Sequence, residues 1–231
     1  MASPGAAGRH EPPLNDADPR AAQKAEAARA AAELIEEGMR VGLGTGSTVA
    51  HLLPAIARRR LGGLRFVATS PATERAALAL GMTVEGLDAL GELDIAIDGA
   101  DQIDPAGWLV KGGGGALTRE KIVAAAARVF IVIASAEKAV GELTPPVPVE
   151  ILAFAAQSTL RSLGPAALRE IPPSPDGGLI ADYLGEIGDP AELARRLAGT
   201  PGLVEHGLFE PGLVSLVLLG TGDGVERRTL G

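Results

Sequence analysis

The stretch from position 94 to 121 holds the densest set of residues that could do chemistry. It carries five acidic residues, three basic residues and six glycines in 28 positions. One apolar run ends in DGAD (98–101), a second ends in KGGGG (111–115), and TREK (118–121) then opens an alanine-rich segment. Carboxylates suit proton transfer, whereas lysines and backbone amides suit a phosphate group and a developing oxyanion.

Short apolar runs predict the strands that position these residues. Leu93–Ile97 and Trp108–Val110 are bounded by turn residues, as is typical of buried strands. Because ligands of open α/β sheets bind at the carboxyl ends of the strands, we expect the acids and Lys111 on one rim. The alternative is three loops with unrelated surface charges. Four successive glycines favour a site, because glycine weakens an element and is tolerated where backbone approaches a ligand.

A second candidate element is the loop at 44–48. Met39–Leu43 predicts a strand, and apolar residues at 49, 52, 53 and 56 predict a helix after the loop. Glycines and hydroxyls at a helix start suit an anion, although the loop could also be only a helix cap. Ser47 replaces the third glycine of a dinucleotide fingerprint, and no Gly-Lys-Ser/Thr follows. A phosphate smaller than a nucleotide's therefore fits best.

The alternation of strands and helices predicts a doubly wound, mainly parallel, Rossmann-like α/β sheet with a smaller α+β subdomain near the C-terminus. The other expected strands are 64–68, 82–87, 130–134, 179–184, 203–209 and 213–219, and the expected helices are 18–37, 72–80, 118–128, 153–163 and 190–197. We expect residues 1–16 to be a mobile tail. Residues 17–146 with about 210–231 form the predicted catalytic domain, and residues 147–209 form the subdomain, with a predicted oligomer contact.

Composition excludes several classes of protein. The formal net charge of −8 argues against nucleic acid as the main partner. Cysteine is absent and the three histidines lie far apart, so no zinc signature exists and no metal site is expected. No apolar stretch reaches membrane-spanning length, and the N-terminus lacks a signal-peptide pattern. We therefore expect a cytoplasmic protein without a membrane partner.

The candidate residues together describe one kind of chemistry. Asp98, Asp101 and Glu120, with Lys111 and Lys138, suit an aldose–ketose isomerisation of a sugar phosphate through an enediolate. The same residues would also suit a sugar-phosphate sensor without catalysis, but such sensors need an output domain and no basic helix-turn-helix pattern is present. A solvated surface lysine is the equal alternative for Lys138 and the favoured interpretation for Lys24.

Four motifs resemble the type A ribose-5-phosphate isomerases. They are GLGTGST at 42–48, DGAD at 98–101, KGGGGALTREK at 111–121 and PVE at 148–150, and the likeness extends to GTGDGV at 220–225. The resemblance implies interconversion of ribose 5-phosphate and ribulose 5-phosphate in the pentose phosphate pathway without a metal or organic cofactor. It also implies a homodimer or homotetramer. Another phosphosugar isomerase would keep these residues and change the substrate.

The resemblance also implies roles for individual residues. Glu120 matches the general base, and Asp98, Asp101 and Lys111 match polar groups around the sugar. The implied substrate-binding set is Thr45, Gly46, Ser47, Thr48, Asp98, Gly99, Ala100, Asp101, Lys111, Gly112, Gly113, Gly114 and Lys138. A free glutamate has a pKa of about 4.3, so Glu120 is expected to be ionised at pH 7.

Overall fold

The computed structural model describes residues 19–230, so the predicted tail at 1–16 and the helix cap at Asp18 lie outside the described residues. The strands are β1 (Arg40–Leu43), β2 (Arg65–Ala68), β3 (Ile95–Asp98), β4 (Gln102–Ile103), β5 (Leu109–Val110), β6 (Phe130–Ser135), β7 (Val147–Ile151), β8 (Ala166–Leu168), β9 (Leu179–Tyr183), β10 (Leu203–His206), β11 (Leu208–Phe209), β12 (Leu216–Gly220) and β13 (Val225–Thr229). The helices are α1 (Pro19–Ala32), α2 (Ser47–Arg59), α3 (Pro71–Ala79), α4 (Leu87–Leu90), α5 (Leu117–Ala125), α6 (Ala156–Leu163) and α7 (Pro190–Ala198). Single 3-10 turns lie at Ala136–Lys138 and Pro211–Leu213.

The central sheet has six strands in the order β13-β12-β6-β3-β1-β2. Neighbouring strands pair in parallel, except that β13 at one edge is antiparallel to β12. All residues of β6 are buried, as expected for a parallel strand that is covered on both faces. This arrangement confirms the predicted doubly wound, mainly parallel α/β fold.

The central strands of the sheet send alternate side chains into two apolar cores, one on each face. Ile131 and Ile133 pack with residues of α1 and α2, whereas Val132 and Ala134 pack with residues of α5 on the other face. This alternation follows from the two-residue period of a strand. Because α2 and α5 cover opposite faces, the helix that begins at Ser47 and the helix that carries Glu120 approach the same rim from two sides.

Two smaller antiparallel sheets complete the structure. The order of one is β10-β7-β9-β8, and its core includes side chains of α6 and α7. This is the smaller α+β subdomain that the sequence predicts near the C-terminus. The other sheet has the order β11-β5-β4. It connects the central domain with the subdomain, because Leu109 packs into a core of the central sheet while Val110 packs into the core of the subdomain.

Two predicted strands are wrong in position or extent. Residues 82–87 make only a bridge between Val84 and Phe66, and the chain then turns at Gly86 into α4. Trp108–Val110 shrinks to β5 and lies outside the central sheet, so Lys111 reaches the rim from a different sheet than Asp98 does.

Several other predicted elements are shorter than expected, including strand 203–209 and the first helix. The predicted strand 203–209 breaks at Gly207, where a Cβ atom would lie 2.2 Å from the Lys111 carbonyl oxygen. Helix α1 ends at Ala32 rather than at Glu37, where the Arg59 guanidinium donates hydrogen bonds to the carbonyl oxygens of Ala32 and Ile35. Strands β4, β7, β8 and β13 and the short helix α4 were not predicted.

Candidate active site

Asp98 ends β3 and lies beneath the loop that follows β1. Its Oδ1 accepts hydrogen bonds from the backbone amides of Thr45 at 3.0 Å and Gly99 at 2.7 Å. A Cβ atom at Gly44 would lie 1.9 Å from the same oxygen, so only glycine lets the loop pass over the carboxylate. Two adjacent strands of the central sheet are thereby tied together at their carboxyl ends.

Lys111 follows β5 and meets Asp98 from above the rim. Because Leu109 faces the core of the central sheet, strand alternation turns Lys111 to the same side. Its Nζ lies 2.8 Å from Asp98 Oδ2, 2.5 Å from the Gly99 carbonyl oxygen and 3.2 Å from Glu120 Oε2. The side chain is only 3% exposed. Burial opposes its charge, but the two carboxylates outweigh burial and raise the pKa of Lys111, so it remains a cation.

Glu120 lies in the first turn of α5 and is 4% exposed. Its Oε2 is in ion-pair contact with Lys111 but has no hydrogen-bond partner among the described residues. Burial, and then the charge of Asp98, raise the pKa of Glu120 to about 7 against the opposing effect of Lys111. The expectation of full ionisation at pH 7 is therefore wrong, because one ammonium serves two buried carboxylates.

The pKa of Glu120 predicts how activity depends on pH. If the carboxylate form is required, kcat/KM should fall about tenfold for each pH unit below 7. Asp98→Asn removes a negative neighbour that raises the pKa of Glu120, so the profile of any residual activity should shift to lower pH. Initial rates between about pH 5 and pH 9 test both expectations. A flat wild-type profile down to pH 5 would contradict them.

A pocket of about 240 Å³ opens above this buried cluster. It is lined by Arg20, Lys24, Thr45, Gly46, Ser47, Thr48, Gly99, Ala100, Asp101, Lys111, Gly112, Gly113, Gly114, Glu120, Glu137 and Lys138. The structure thus brings the sequence-predicted site residues together, except that Asp98 lies below the pocket rather than in its wall. Arg20 and Glu137 were not predicted. The signal for Arg20 was its spacing of four residues from Lys24 on α1, which places both on one helix face.

One end of the pocket suits an anion. Ser47 and Thr48 form the first turn of α2, where backbone N–H groups and the helix dipole favour negative charge. Lys24 Nζ donates to Ser47 Oγ at 3.0 Å, and Lys138 lines the same pocket. This geometry brings both lysines of the phosphate interpretation, Lys138 and the optional Lys24, to the pocket that the loop lines.

The glycine loop 112–115 forms another wall of the pocket. Gly112 has φ +101°, and a Cβ atom there would lie 2.9 Å from both Leu117 and Pro148. Gly115 closes a turn by donating its N–H to the Gly112 carbonyl at 3.0 Å. The loop can therefore lie flat against the start of α5 only because it lacks side chains.

A buried carboxylate of the subdomain fixes the start of α5. Glu150 of β7 is 2% exposed and accepts hydrogen bonds from the hydroxyls of Thr118 and Ser174. Thr118 is in the same helical turn as Glu120, so this contact helps to set the position of the candidate base. Sequence analysis found Glu150 only as part of the PVE motif and gave it no role.

The described part of the chain has neither a membrane-spanning helix nor a cluster of metal-ligating side chains. No helix within residues 19–230 combines the length and the apolar character needed to cross a bilayer. In the same range, no three Asp, Glu or His side chains gather in a way that could hold a metal ion.

His206 is buried, and burial followed by the charge of Lys121 lowers its pKa to about 4.

The fold, the pocket and the buried cluster define an α/β protein with a polar candidate site at the carboxyl ends of its parallel strands. Residues 65–224 match the family ribose 5-phosphate isomerase A (phosphoriboisomerase A). Ribose-5-phosphate isomerase A of Nitrobacter hamburgensis is 42% identical over 229 residues, which cover 90% of this chain and 98% of that protein. The chain therefore belongs to the ribose 5-phosphate isomerase A family, which confirms the resemblance of the four sequence motifs.

Solved structures of the family agree with the fold. Ribose 5-phosphate isomerase A from Neisseria gonorrhoeae has a TM-score of 0.86 and 31% identity, with 90% of this chain and 96% of that chain covered. A D-ribose-5-phosphate isomerase in complex with phospho-erythronic acid has a TM-score of 0.84 and 33% identity, with 89% and 97% covered.

Proposed function

We propose that this chain interconverts D-ribose 5-phosphate and D-ribulose 5-phosphate in the non-oxidative pentose phosphate pathway. Family membership supports the substrate pair. The observation that carries the proposal is the buried contact of Lys111 with Asp98 and Glu120 beneath a pocket whose lining includes Lys24 and Lys138. A carboxylate can move the proton and an ammonium can stabilise the enediolate, so the proposed reaction uses no metal or organic cofactor. The proposed location is the cytoplasm.

In the proposed mechanism, Glu120 is the general base. Its carboxylate removes the proton from carbon 2 of the open-chain aldose, and the electron pair forms a C1–C2 double bond as the C1 carbonyl becomes an oxyanion. The proton of the carbon 2 hydroxyl passes to the oxygen on carbon 1, and Glu120 returns its proton to carbon 1. One carboxylate on one face of the sugar suffices for both transfers.

The other polar groups stabilise and orient the substrate in this proposal. The Lys111 ammonium and a backbone N–H of the glycine loop would hold the enediolate oxygen, where charge develops in the transition state. Asp101 lines the pocket and Asp98 lies below it, so Asp101 is placed to orient hydroxyl groups directly. Asp98 acts mainly through Lys111 and the loop amides. Either acid could assist ring opening.

The phosphate prediction concerns Lys138. We expect Lys138→Ala to raise KM for ribose 5-phosphate more than it lowers kcat, because a phosphate contact is equal in ground and transition states. Steady-state kinetics measure both values. Arg65→Ala is a suitable control, because Arg65 pairs with Glu85 and does not line the pocket. A normal KM in the Lys138 variant would place the phosphate elsewhere.

The substrate itself is tested by a panel of phosphorylated sugars. Turnover of ribose 5-phosphate should exceed turnover of arabinose phosphate and hexose phosphates under the same conditions. Preference for another sugar would keep the chemistry and change the substrate. Tight binding of ribose 5-phosphate without turnover would indicate a sensor instead of an enzyme.

We also propose a division into domains and a homo-oligomer. Residues 17–146 with about 210–231 form the catalytic domain, and residues 147–209 form the subdomain that contacts another copy. Support comes from exposed large apolar side chains of the subdomain, namely Leu152, Phe154, Leu168, Ile171, Leu184 and Val204. A dimer or tetramer should appear in light scattering, and a monomer at micromolar concentration would refute this contact.

A further inference from the structure

The glycine loop 112–115 is held from behind by Arg169, a residue of the antiparallel subdomain. Arg169 follows β8, and its guanidinium forms a bidentate ion pair with the carboxylate of Asp182. Nε donates to Oδ2 at 2.9 Å and Nη2 donates to Oδ1 at 2.6 Å. Its Nη1 also donates to the carbonyl oxygens of Gly112 and Gly113, both at 3.0 Å. One guanidinium thus links the four-stranded sheet of the subdomain to two successive peptide groups of the loop.

These two contacts determine where the N–H groups of the loop point. In a trans peptide the C=O and the N–H lie on opposite sides of the chain, and the peptides of this loop are trans. With two carbonyls held by Arg169, the N–H groups of Gly113 and Gly114 face away from it. The Gly113 N–H donates to Asp101 Oδ2 at 2.8 Å, on the pocket side.

Of the two N–H groups that face away from Arg169, that of Gly114 is the one not yet accounted for. Gly114 lines the pocket, and its N–H donates to no other group within residues 19–230. An amide that is fixed in direction, exposed to the pocket and without a partner can donate to a ligand oxygen at no cost in reorganisation. It lies in the same pocket as Lys111 and Glu120.

We propose that Arg169 is a positioning residue that aims the Gly114 N–H at the enediolate oxygen. This inference rests on the proposed function and names the backbone donor that the mechanism requires. The side chain of Arg169 is 17% exposed, and its bidentate pair with Asp182 fixes the plane of the guanidinium. A lysine offers a single ammonium instead of a planar fork and cannot hold Asp182 and both carbonyls in this geometry.

The test compares Arg169→Ala and Arg169→Lys with wild type and with Arg65→Ala. Arg65 makes a similar bidentate pair with Glu85 at 2.7 and 2.8 Å but does not line the pocket, so it matches the loss of an ion pair without touching the loop. Four values are measured for each protein. They are kcat and KM for ribose 5-phosphate, and the inhibition constants of phospho-erythronic acid and inorganic phosphate.

Both Arg169 variants should lose about tenfold to a hundredfold in kcat, since removal of one oxyanion donor costs roughly 10²–10³ and misalignment costs less. KM should stay within about twofold. The inhibition constant of phospho-erythronic acid, whose carboxylate stands in for the enediolate oxygens, should rise with the loss of kcat. Inhibition by inorganic phosphate should not change, because the phosphate loop is separate from Arg169. A merely structural role of Arg169 would not raise the inhibition constant of phospho-erythronic acid while leaving that of inorganic phosphate unchanged.

Other outcomes overturn the inference. They are unchanged kcat, or reduced kcat with unchanged inhibition by phospho-erythronic acid, or equal weakening of both inhibitors. If Arg169→Ala does not fold, Asp182→Asn replaces it in the test. Asparagine weakens the bidentate ion pair but still accepts a hydrogen bond from Arg169. The same changes in kcat and in the inhibition constants are then expected, with smaller magnitudes. Wild-type turnover is measured first, because an inactive wild type overturns the proposed function, whereas active Arg169 variants overturn this inference alone.

Discussion

Glu120→Gln should lower kcat by at least about a hundredfold and leave KM nearly unchanged, because a positioned general base contributes roughly 10²–10⁴ in rate. Glutamine keeps the shape of the side chain, but its amide cannot accept the proton. Steady-state kinetics with ribose 5-phosphate measure the loss, and exchange of the carbon-bound proton with solvent deuterium tests the same step separately.

The same substitution should not damage the fold, which makes the kinetic result interpretable. Glu120 has a folded-state pKa raised to about 7, so near pH 8 its buried charge destabilises the native state relative to the unfolded chain. The neutral amide removes this penalty and leaves Lys111 paired with Asp98 at 2.8 Å. Urea unfolding near pH 8 should therefore show the variant to be at least as stable as wild type.

Asp98→Asn is the matched comparison for the base assignment. It removes the other carboxylate that contacts Lys111, but Asp98 does not line the pocket, whereas Glu120 does. If Glu120→Gln retained most of the activity and Asp98→Asn abolished it, the base assignment would be wrong. The fold and the substrate could still stand.

Local sequence was sufficient to find the residues at the centre of the site. DGAD ends an apolar run, and KGGGG and TREK follow at short spacing, so Asp98, Lys111 and Glu120 could be predicted to meet. The route by which they meet was not predictable in the same way. Lys111 belongs to a separate three-stranded sheet, whose pairing of β5 with β11 joins positions about a hundred residues apart.

Long-range contacts also explain what sequence analysis missed. Arg169 and Glu150 have no motif that marks a catalytic role, and each contacts an element of the candidate site only because the subdomain packs against the glycine loop and α5. The pKa of Glu120 was misjudged for the same reason, since burial and the Asp98 charge depend on tertiary structure. Local patterns predicted most of the elements and the position of the candidate site, and packing decided the electrostatics.

Lys111→Met should destabilise the protein more than any other substitution at the site. Lys111, Asp98 and Glu120 are all buried, and methionine fills a similar volume without charge. Removal of one partner from a buried ion pair costs about 3–5 kcal/mol because an uncompensated charge remains. The melting temperature should fall by roughly 6–20 °C, given about 2–4 °C per kcal/mol for a chain of this size.

The destabilisation by Lys111→Met should depend on pH in a defined direction. Lys111 lowers the pKa of Glu120, so without it that pKa lies above the wild-type value of about 7. Between the unfolded and folded pKa values the native state then binds more protons, and stability falls as pH rises. Urea unfolding should therefore show a larger loss near pH 8 than near pH 5.

A second substitution, at one of the carboxylates, separates the effect of the buried charges from the effect of packing. Lys111→Met combined with Asp98→Asn leaves one buried acid instead of two, so the double variant should recover part of the lost stability near pH 8. It should not recover activity, because the ammonium that stabilises the enediolate is still absent. Equal stability of Lys111→Met and wild type near pH 8 would mean that the ammonium does not neutralise the buried acids. The electrostatic account of Glu120 would then fail with it.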